Sequence, residues 1–314
     1  MAEVILMGEP MAMFVADTVG PLHKVQHFSK SLAGAEVNVC IGLVRLGHTP
    51  SYVTKLGKEP MGEYIYHFLE REKIDTTFVS FDDIYRTGLQ LKSKVTEGDP
   101  AIAYYRKGSA ASQMSKEDIE KVDFSGIKHV HVTGIPPALS PSCREATYRL
   151  IERAKEAGIY ISFDPNLRPM LWESKEKMIE VINDLASKCD MVLPGISEGL
   201  ILCGSDNPVK IADFYQELGV AEVIIKLGSE GAYVRTPNES YVQKGFEVNK
   251  IVDTVGAGDG FAVGIISGRL EGLSLRDCVI RGNAIGSIQV EHVSDNEGLP
   301  NPEQLEARIS TYKA

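Results

Sequence analysis

The 314-residue sequence has no pair of cysteines at Cys-x-x-Cys spacing; its five stand scattered as Cys40, Cys143, Cys189, Cys203 and Cys278. That scatter argues against a disulfide frame and a thiolate zinc site, and predicts reduced thiols in a cytoplasmic protein. No stretch approaches the roughly 18 apolar residues of a membrane span. The opening MAEVILMGEP lacks the basic region and long apolar run expected of a secretion signal. Positive charge is short as well. A net charge of −10 argues against nucleic acid or an anionic membrane as the partner, while basic residues can still gather around an anionic small molecule. There is no internal repeat and no low-complexity linker, so one domain over 1–314 is expected rather than two. Common nucleotide loops are also missing. The only Gly-Lys pair, Gly57-Lys58, is followed by Glu59, which is no Walker loop.

What is present is ordinary globular composition, 43% hydrophobic and 24% charged. A chain this long buries roughly three quarters of its unfolded surface and needs no staples. Short apolar runs over 4–8, 51–57, 127–134, 159–164, 190–195 and 222–228 predict buried strands, several ending in Gly, Pro or Asp. Helical spacing occupies 36–47, 60–73, 140–157, 175–188 and 208–218 between them. This alternation predicts an α/β protein with a mostly parallel sheet covered on both faces. Segments 10–33 and 85–108 break the rhythm with polar–apolar alternation. The second, with TGLQLKSKV and AIAYYRK around a Gly98-Asp99-Pro100 turn, predicts a half-exposed hairpin. Together they predict a small antiparallel lid.

The stretch TVGAGDGFAVG (254–264) sets four glycines and one aspartate at the start of a helical segment. It is not a dinucleotide fingerprint, because Phe261 takes the place of the third glycine and the motif lies in the last quarter of the chain. Gly260, Gly264 and Gly268 mimic a membrane small-residue face, but Asp259 and Arg269 bracket a run too short to span. A loop opening into a helix leaves unpaired N–H groups at a positive dipole end. Small residues at Gly256, Ala257 and Gly258 would let phosphate oxygens approach them. Asp259 repels phosphate and is a poor choice for binding alone; it makes sense as the acceptor of a proton from an attacking hydroxyl. The alternative is a glycine turn with a capping aspartate.

Asp253-Thr254-Val255-Gly256-Ala257-Gly258-Asp259 and its helix resemble the C-terminal signature of the ribokinase-like (phosphofructokinase-B type) sugar kinases. LAGAEVNVCIGLVRLG (32–47) and KLGKEPMGEYI (55–65) resemble that family's first signature region. VTGIPPALS, DPNLRPMLW, LPGISEG and KLGSEGAYV follow in family order, so the resemblance covers essentially the whole chain. It implies a three-layer α/β/α sandwich with a β-sheet lid, ATP and Mg2+ as reactants, and phosphorylation of an alcohol. AYYRKGSAAS (103–112) and DPNLRPMLW (164–172) resemble the members that act on 2-keto-3-deoxygluconate, implying transfer to its terminal C6 hydroxyl. Such a keto-sugar acid needs a cation, ideally arginine in a bidentate pair. Other sugar kinases of the family, for fructose or ribose, and a non-catalytic sugar-acid sensor are the alternatives.

The resemblance implies Arg106 and Arg168 at the acid end, Tyr104 on the carbon chain, Gly34 giving close backbone approach and Asn38 on the substrate side. Arg168 alone could also form a surface salt bridge; its place just after a strand-ending Asp164-Pro165 favours the site. Lys226, Gly228 and Gly231 would approach phosphates and ribose, with Lys226 equally able to face solvent. Asn283, Ala284 and Ser287 would line the adenine pocket, and Glu198 would organise Mg2+ through waters. Two departures stand out: Gly195 replaces a common asparagine, and Ala33-Gly34 replaces a Gly-Gly pair. His129 and His131 alternate on a strand as packing residues, Met7, Met11 and Met13 read as core or lid filler, and 115–123 reads as a solvated helix. Exposed lid strands invite pairing, so a homo-oligomer is expected.

Overall fold

The structure, a computed structural model, describes residues 2–96, 100–293 and 295–312. Its strands are β1 (Val4–Met7), β2 (Met11–Val19), β3 (Phe28–Ala33), β4 (Pro50–Gly57), β5 (Val79–Asp82), β6 (Leu89–Lys94) and β7 (Ile102–Tyr105). Then come β8 (His129–Thr133), β9 (Tyr160–Asp164), β10 (Met191–Val192), β11 (Glu222–Lys226), β12 (Ala232–Arg235) and β13 (Ser240–Gln243). The helices are α1 (Ala35–Arg45), α2 (Pro60–Arg71), α3 (Lys116–Glu120), α4 (Pro136–Leu139), α5 (Pro141–Glu156) and α6 (Lys175–Ala186). They continue with α7 (Ile196–Cys203), α8 (Pro208–Glu217), α9 (Ala257–Leu270), α10 (Leu275–Gln289) and α11 (Pro302–Ile309).

The large sheet has the order β13-β12-β11-β10-β9-β8-β1-β4-β5. From β11 to β5 every pairing is parallel, and β12 and β13 extend the β11 edge antiparallel. Strand alternation splits the core between two faces. On β1, Ile5 and Met7 join the cluster built with α5, α6 and α8, while Val4 and Leu6 join the one built with α1, α9 and α10. The result is three layers, as expected.

The small sheet has the order β3-β2-β6-β7. It differs from the predicted antiparallel flap: two antiparallel hairpins meet through a parallel β2–β6 pair. The turn expected at Gly98-Asp99-Pro100 falls largely outside the described residues. The run at 190–195 yields only the two-residue β10, because Pro194 and Gly195 lead into α7. Strands β12 and β13 were not anticipated; they form an edge hairpin with one face toward the core. The 115–123 segment forms only the short α3, and its Asp118 meets Lys55 at 2.7 Å rather than solvent.

The small-residue stripe of α9 has a plain physical reason. A Cβ on Gly264 would stand 2.3 Å from the Gly282 nitrogen, and one on Gly268 would stand 2.8 Å from Cys278 Sγ. These glycines let α9 lie close against α10, a helix–helix seam within the core. The paired histidines are also core: Ser162 Oγ lies 2.7 Å from His129 Nε2 and 2.8 Å from His131 Nδ1. Among the described residues no helix is long and apolar enough to cross a membrane.

Candidate functional site

The carboxyl ends of the parallel strands open into a cleft, the usual place for ligands in such sheets. A cavity of about 510 Å³ lies there. Asp164, Asn166, Arg168, Glu198, Lys226 and Asp259 line it from the large sheet, and Gln90, Tyr104 and Arg106 line it from the small one. A second cavity of about 1670 Å³ lies against α9, α10 and β13. The two meet at Lys226 and Gly258, which line both.

That junction is built by the glycine turn. Gly256 caps the N-terminus of α9 in the left-handed region, with φ 81. A Cβ there would stand 2.3 Å from the Asp295 carbonyl oxygen, so only glycine fits in both conformation and space. The first turn then presents N–H groups without intrahelical acceptors. Lys226 Nζ stands 3.5 Å from where a Cβ of Gly258 would lie, so fixed dipoles and an ammonium converge on one spot.

Asp259, in the same turn, is half-buried at the cavity wall. Its Oδ2 accepts a 2.8 Å hydrogen bond from Asn38 Nδ2, and Asn166 Nδ2 lies 3.4 Å from Oδ1. Burial pushes its carboxyl up to about 7; the Asn38 hydrogen bond opposes the rise, the Asp164 charge adds to it, and Arg168 opposes it. A carboxylate poised near neutrality is suited to accept a proton.

Lys226 does not point into solvent. Its ammonium contacts both Asp164 oxygens, at 2.8 and 2.9 Å, across the cavity floor. Burial disfavours that charge, yet the Asp164 and Glu198 carboxylates hold its pKa above the ordinary lysine value. Glu198 Oε2 accepts from the Gly195 N–H at 2.7 Å and Oε1 from the Leu167 N–H at 3.0 Å. A Cβ on Gly195 would meet only Glu198 Oε2, at 3.6 Å, so glycine leaves the space of the common asparagine open.

The two arginines are held differently. Arg168 Nη1 donates to Asn166 Oδ1 at 2.6 Å and to the Leu167 carbonyl at 2.9 Å, which fixes one nitrogen of its guanidinium at the cavity wall. Asn166 itself adopts a positive φ of 39 to make this turn. Arg106 is buried and ion-paired with Glu9, its Nε 2.6 Å from Oε2, while Ser109 Oγ donates to Glu9 Oε1 at 2.5 Å. Arg106, expected at the acid end of the substrate, lines the cavity with one edge of its guanidinium held by Glu9. Asn38, expected on the substrate side, lines the smaller cavity and is also engaged within the protein. Its amide serves Asp259, and its Oδ1 accepts from Asn296 at 3.2 Å, so it orients the acid from behind. Tyr104 stands at the rim, 43% exposed. Gly34, with φ 141, brings its backbone against Glu9.

Gly228, Gly231, Ala257, Asn283 and Ser287 line the larger cavity. Ala284 does not; it is fully buried in the apolar core, a third of a turn away from the face shared by Asn283 and Ser287. Asn283 Nδ2 donates to the Lys244 carbonyl at 3.0 Å, which ties α10 to the loop after β13. Sequence reasoning missed Glu9 and Asn166, because each acts through a partner far along the chain or through an unusual turn. Asp164 was legible only as a strand end. Among the described residues no group of three or more His, Cys, Asp or Glu could hold a metal.

A profile of the pfkB family carbohydrate kinases matches residues 1–302. The chain is 48% identical over 312 residues to 2-dehydro-3-deoxygluconokinase of Bacillus subtilis (strain 168), covering 99% of this chain and 96% of that one. It superposes on a PfkB protein from Polaromonas sp. JS666 with a TM-score of 0.88 and 43% identity, over 98% of this chain and 100% of the other. A protein from E. coli solved in complex with ATP and Mg2+ superposes with a TM-score of 0.89 and 25% identity, over 99% of this chain and 100% of the other.

Proposed function

Because the chain belongs to the pfkB family of carbohydrate kinases and shares their ribokinase-like fold, we propose that it phosphorylates 2-keto-3-deoxygluconate on its C6 hydroxyl with ATP. The observation that carries this reading is the junction of the two cavities at Lys226 and Gly258, with Asp259 one residue further on. The sugar acid occupies the smaller cavity, and the nucleotide the larger.

Arg168 and the free edge of Arg106 bind the substrate carboxylate, and Tyr104 closes over the carbon chain. The far hydroxyl then reaches Asp259. A bond forms between the C6 oxygen and the γ-phosphorus, the bond from that phosphorus to the β–γ bridging oxygen breaks, and the hydroxyl proton passes to Asp259. The N–H groups of Gly256, Ala257 and Gly258 and the Lys226 ammonium stabilise the charge of the transferring group, a task of positioning and electrostatics. Gly228, Gly231, Asn283 and Ser287 shape the nucleotide side.

Glu198 fits Mg2+ through water: it lines the cavity, its two oxygens each accept one N–H and retain further acceptor capacity, and with no cluster of three donors among the described residues the remaining ligands would be phosphate and water oxygens. Bound there, the ion would supply charge neutralisation to the phosphates. Segments 10–33 and 85–108 act as a lid that excludes water as a competing acceptor. Free cysteines and ATP dependence suit the cytoplasm.

An ATP-consumption assay across 2-keto-3-deoxygluconate, fructose, ribose and gluconate tests the reading. Turnover is expected with the keto acid alone. Preference for a neutral sugar, or no turnover with any of the four, overturns it.

A further inference from the structure

Lys92 lies on β6 of the small sheet, with its side chain 3% exposed. Its ammonium donates to Asp253 Oδ2 at 2.7 Å and to Asp295 Oδ1 at 2.8 Å, two carboxylates that are themselves buried. Neither partner is near it in sequence, at 161 and 203 residues away. Both lead directly to the glycine turn. The other oxygen of Asp253 accepts from the Val255 N–H at 3.0 Å, which sets the turn entering Gly256. The Asp295 backbone carbonyl fills the space beside Gly256, where a Cβ would stand 2.3 Å away. One buried ammonium thus secures two walls of the anion-binding turn from a strand of the other sheet.

The charges make this arrangement more than packing. Two buried carboxylates facing each other repel unless a cation lies between them, and removing one member of a buried ion group leaves the others uncompensated. Burial disfavours the Lys92 charge, but Asp295 and Asp253 outweigh it and hold its pKa above the ordinary value. The ammonium is therefore a permanent, tethered monovalent cation.

We propose that Lys92 is a positioning residue for phosphoryl transfer: by neutralising Asp253 and Asp295 it holds the 253–256 turn in the shape that presents the α9 N–H groups to the transferring phosphoryl group. The proposal rests on the kinase reading above. It also assigns the small sheet a second role beside covering the sugar, since the strand that carries Gln90 into the cavity also carries Lys92 to the turn.

The test compares wild type and Lys92→Ala in the full chain. It measures steady-state kinetics with ATP and 2-keto-3-deoxygluconate, and hydrogen exchange of the 252–259 segment without substrate. Kinetics are repeated with ammonium, methylammonium or tetramethylammonium chloride at matched ionic strength. Lys92→Ala is expected to lower kcat by about 100-fold while the KM of the sugar acid stays within about threefold. Exchange of the segment should quicken. Ammonium and methylammonium, small enough for the vacated place, should recover about tenfold in kcat, while bulky tetramethylammonium recovers none. Wild type should be indifferent to all three.

Wild-type kcat in Lys92→Ala, unchanged exchange, or a loss that no small cation recovers each overturns the proposal. Should Lys92→Ala fail to fold, the charge-conserving pair Lys92→Gln with Asp295→Asn replaces it. A kcat lowered about tenfold at unchanged sugar KM then supports the proposal, and full turnover overturns it. Absence of turnover in wild type counts against the kinase reading instead, and the exchange comparison still decides the role of Lys92 in ordering the turn.

Discussion

The carboxylate of Asp259 accepts a 2.8 Å hydrogen bond from the side chain of Asn38, 221 residues away in sequence. The glycine turn sets the acid in the first turn of α9, and α1, reaching across from the other end of the chain, holds its carboxylate. Aim and acidity come from the same contact, because that hydrogen bond favours the charged form and restrains the rise caused by burial.

If Asp259 takes the hydroxyl proton, Asp259→Asn lowers kcat by about 10²–10⁴-fold, the range of general-base catalysis. Titration calorimetry should still detect ATP binding, since the asparagine keeps the shape and removes a charge that repels phosphate. Near-normal turnover would remove Asp259 from the mechanism.

The pH dependence follows from its sign. Asp259 must be ionised to act, and its carboxyl is raised from 3.8 to about 7. The rate should therefore rise with pH, with an acid limb near 7. Asn38→Ala removes the shorter of the two side-chain hydrogen bonds to the Asp259 carboxylate, one that favours the ionised form, so the limb should move to higher pH, with the high-pH plateau less affected than the rate at pH 6. A profile that does not move would show that Asn38 leaves Asp259 untouched.

Arg168 lines the cavity with its Nη1 held by Asn166 and Leu167. Losing a hydrogen-bonded ion contact costs about 1.5–3 kcal/mol, so Arg168→Ala should raise the keto-acid KM by roughly 10–100-fold. Arg168→Lys should recover only part of this, because an ammonium lacks the fork that meets a carboxylate on two sides. Equal KM values in all three proteins would place the carboxylate elsewhere.

Glu36 is fully buried, hydrogen-bonded through one oxygen to Thr133, and its other oxygen has no partner. Burial raises its carboxyl from 4.5 to about 7. The folded state then binds more protons than the unfolded chain between these values, so this group's contribution to stability falls as pH rises through that window. Glu36→Gln carries no such charge. In urea denaturation it should gain on wild type progressively from pH 5 to pH 8, by about 1–3 kcal/mol in all. A difference that stays constant with pH would mean Glu36 is ionised throughout.

Much of the architecture was legible in the chain because it is written locally. Apolar runs ending in Gly, Pro or Asp mark strands, and their alternation with amphipathic helices requires a covered parallel sheet. The β12–β13 edge escaped notice because short half-buried strands carry little periodicity. The parallel β2–β6 pair escaped because pairing direction depends on how distant segments are brought together. Ala284 was misplaced by one step on a helix whose faces are both largely buried, where sequence does not say which face meets the ligand.

Local sequence is enough to specify the glycine turn that opens α9. Gly256 supplies the positive φ, the helix that follows supplies the N–H groups, and Asp259 stands in the first turn whatever surrounds it. Which charges meet partners inside the protein is settled by strand order and helix packing. Glu9 takes one edge of Arg106, Asp164 takes Lys226, and Asp253 and Asp295 share Lys92. A side chain's local sequence sets its chemistry, but strand order and helix packing set its neighbours, and in a buried cleft the neighbours determine what that chemistry can do.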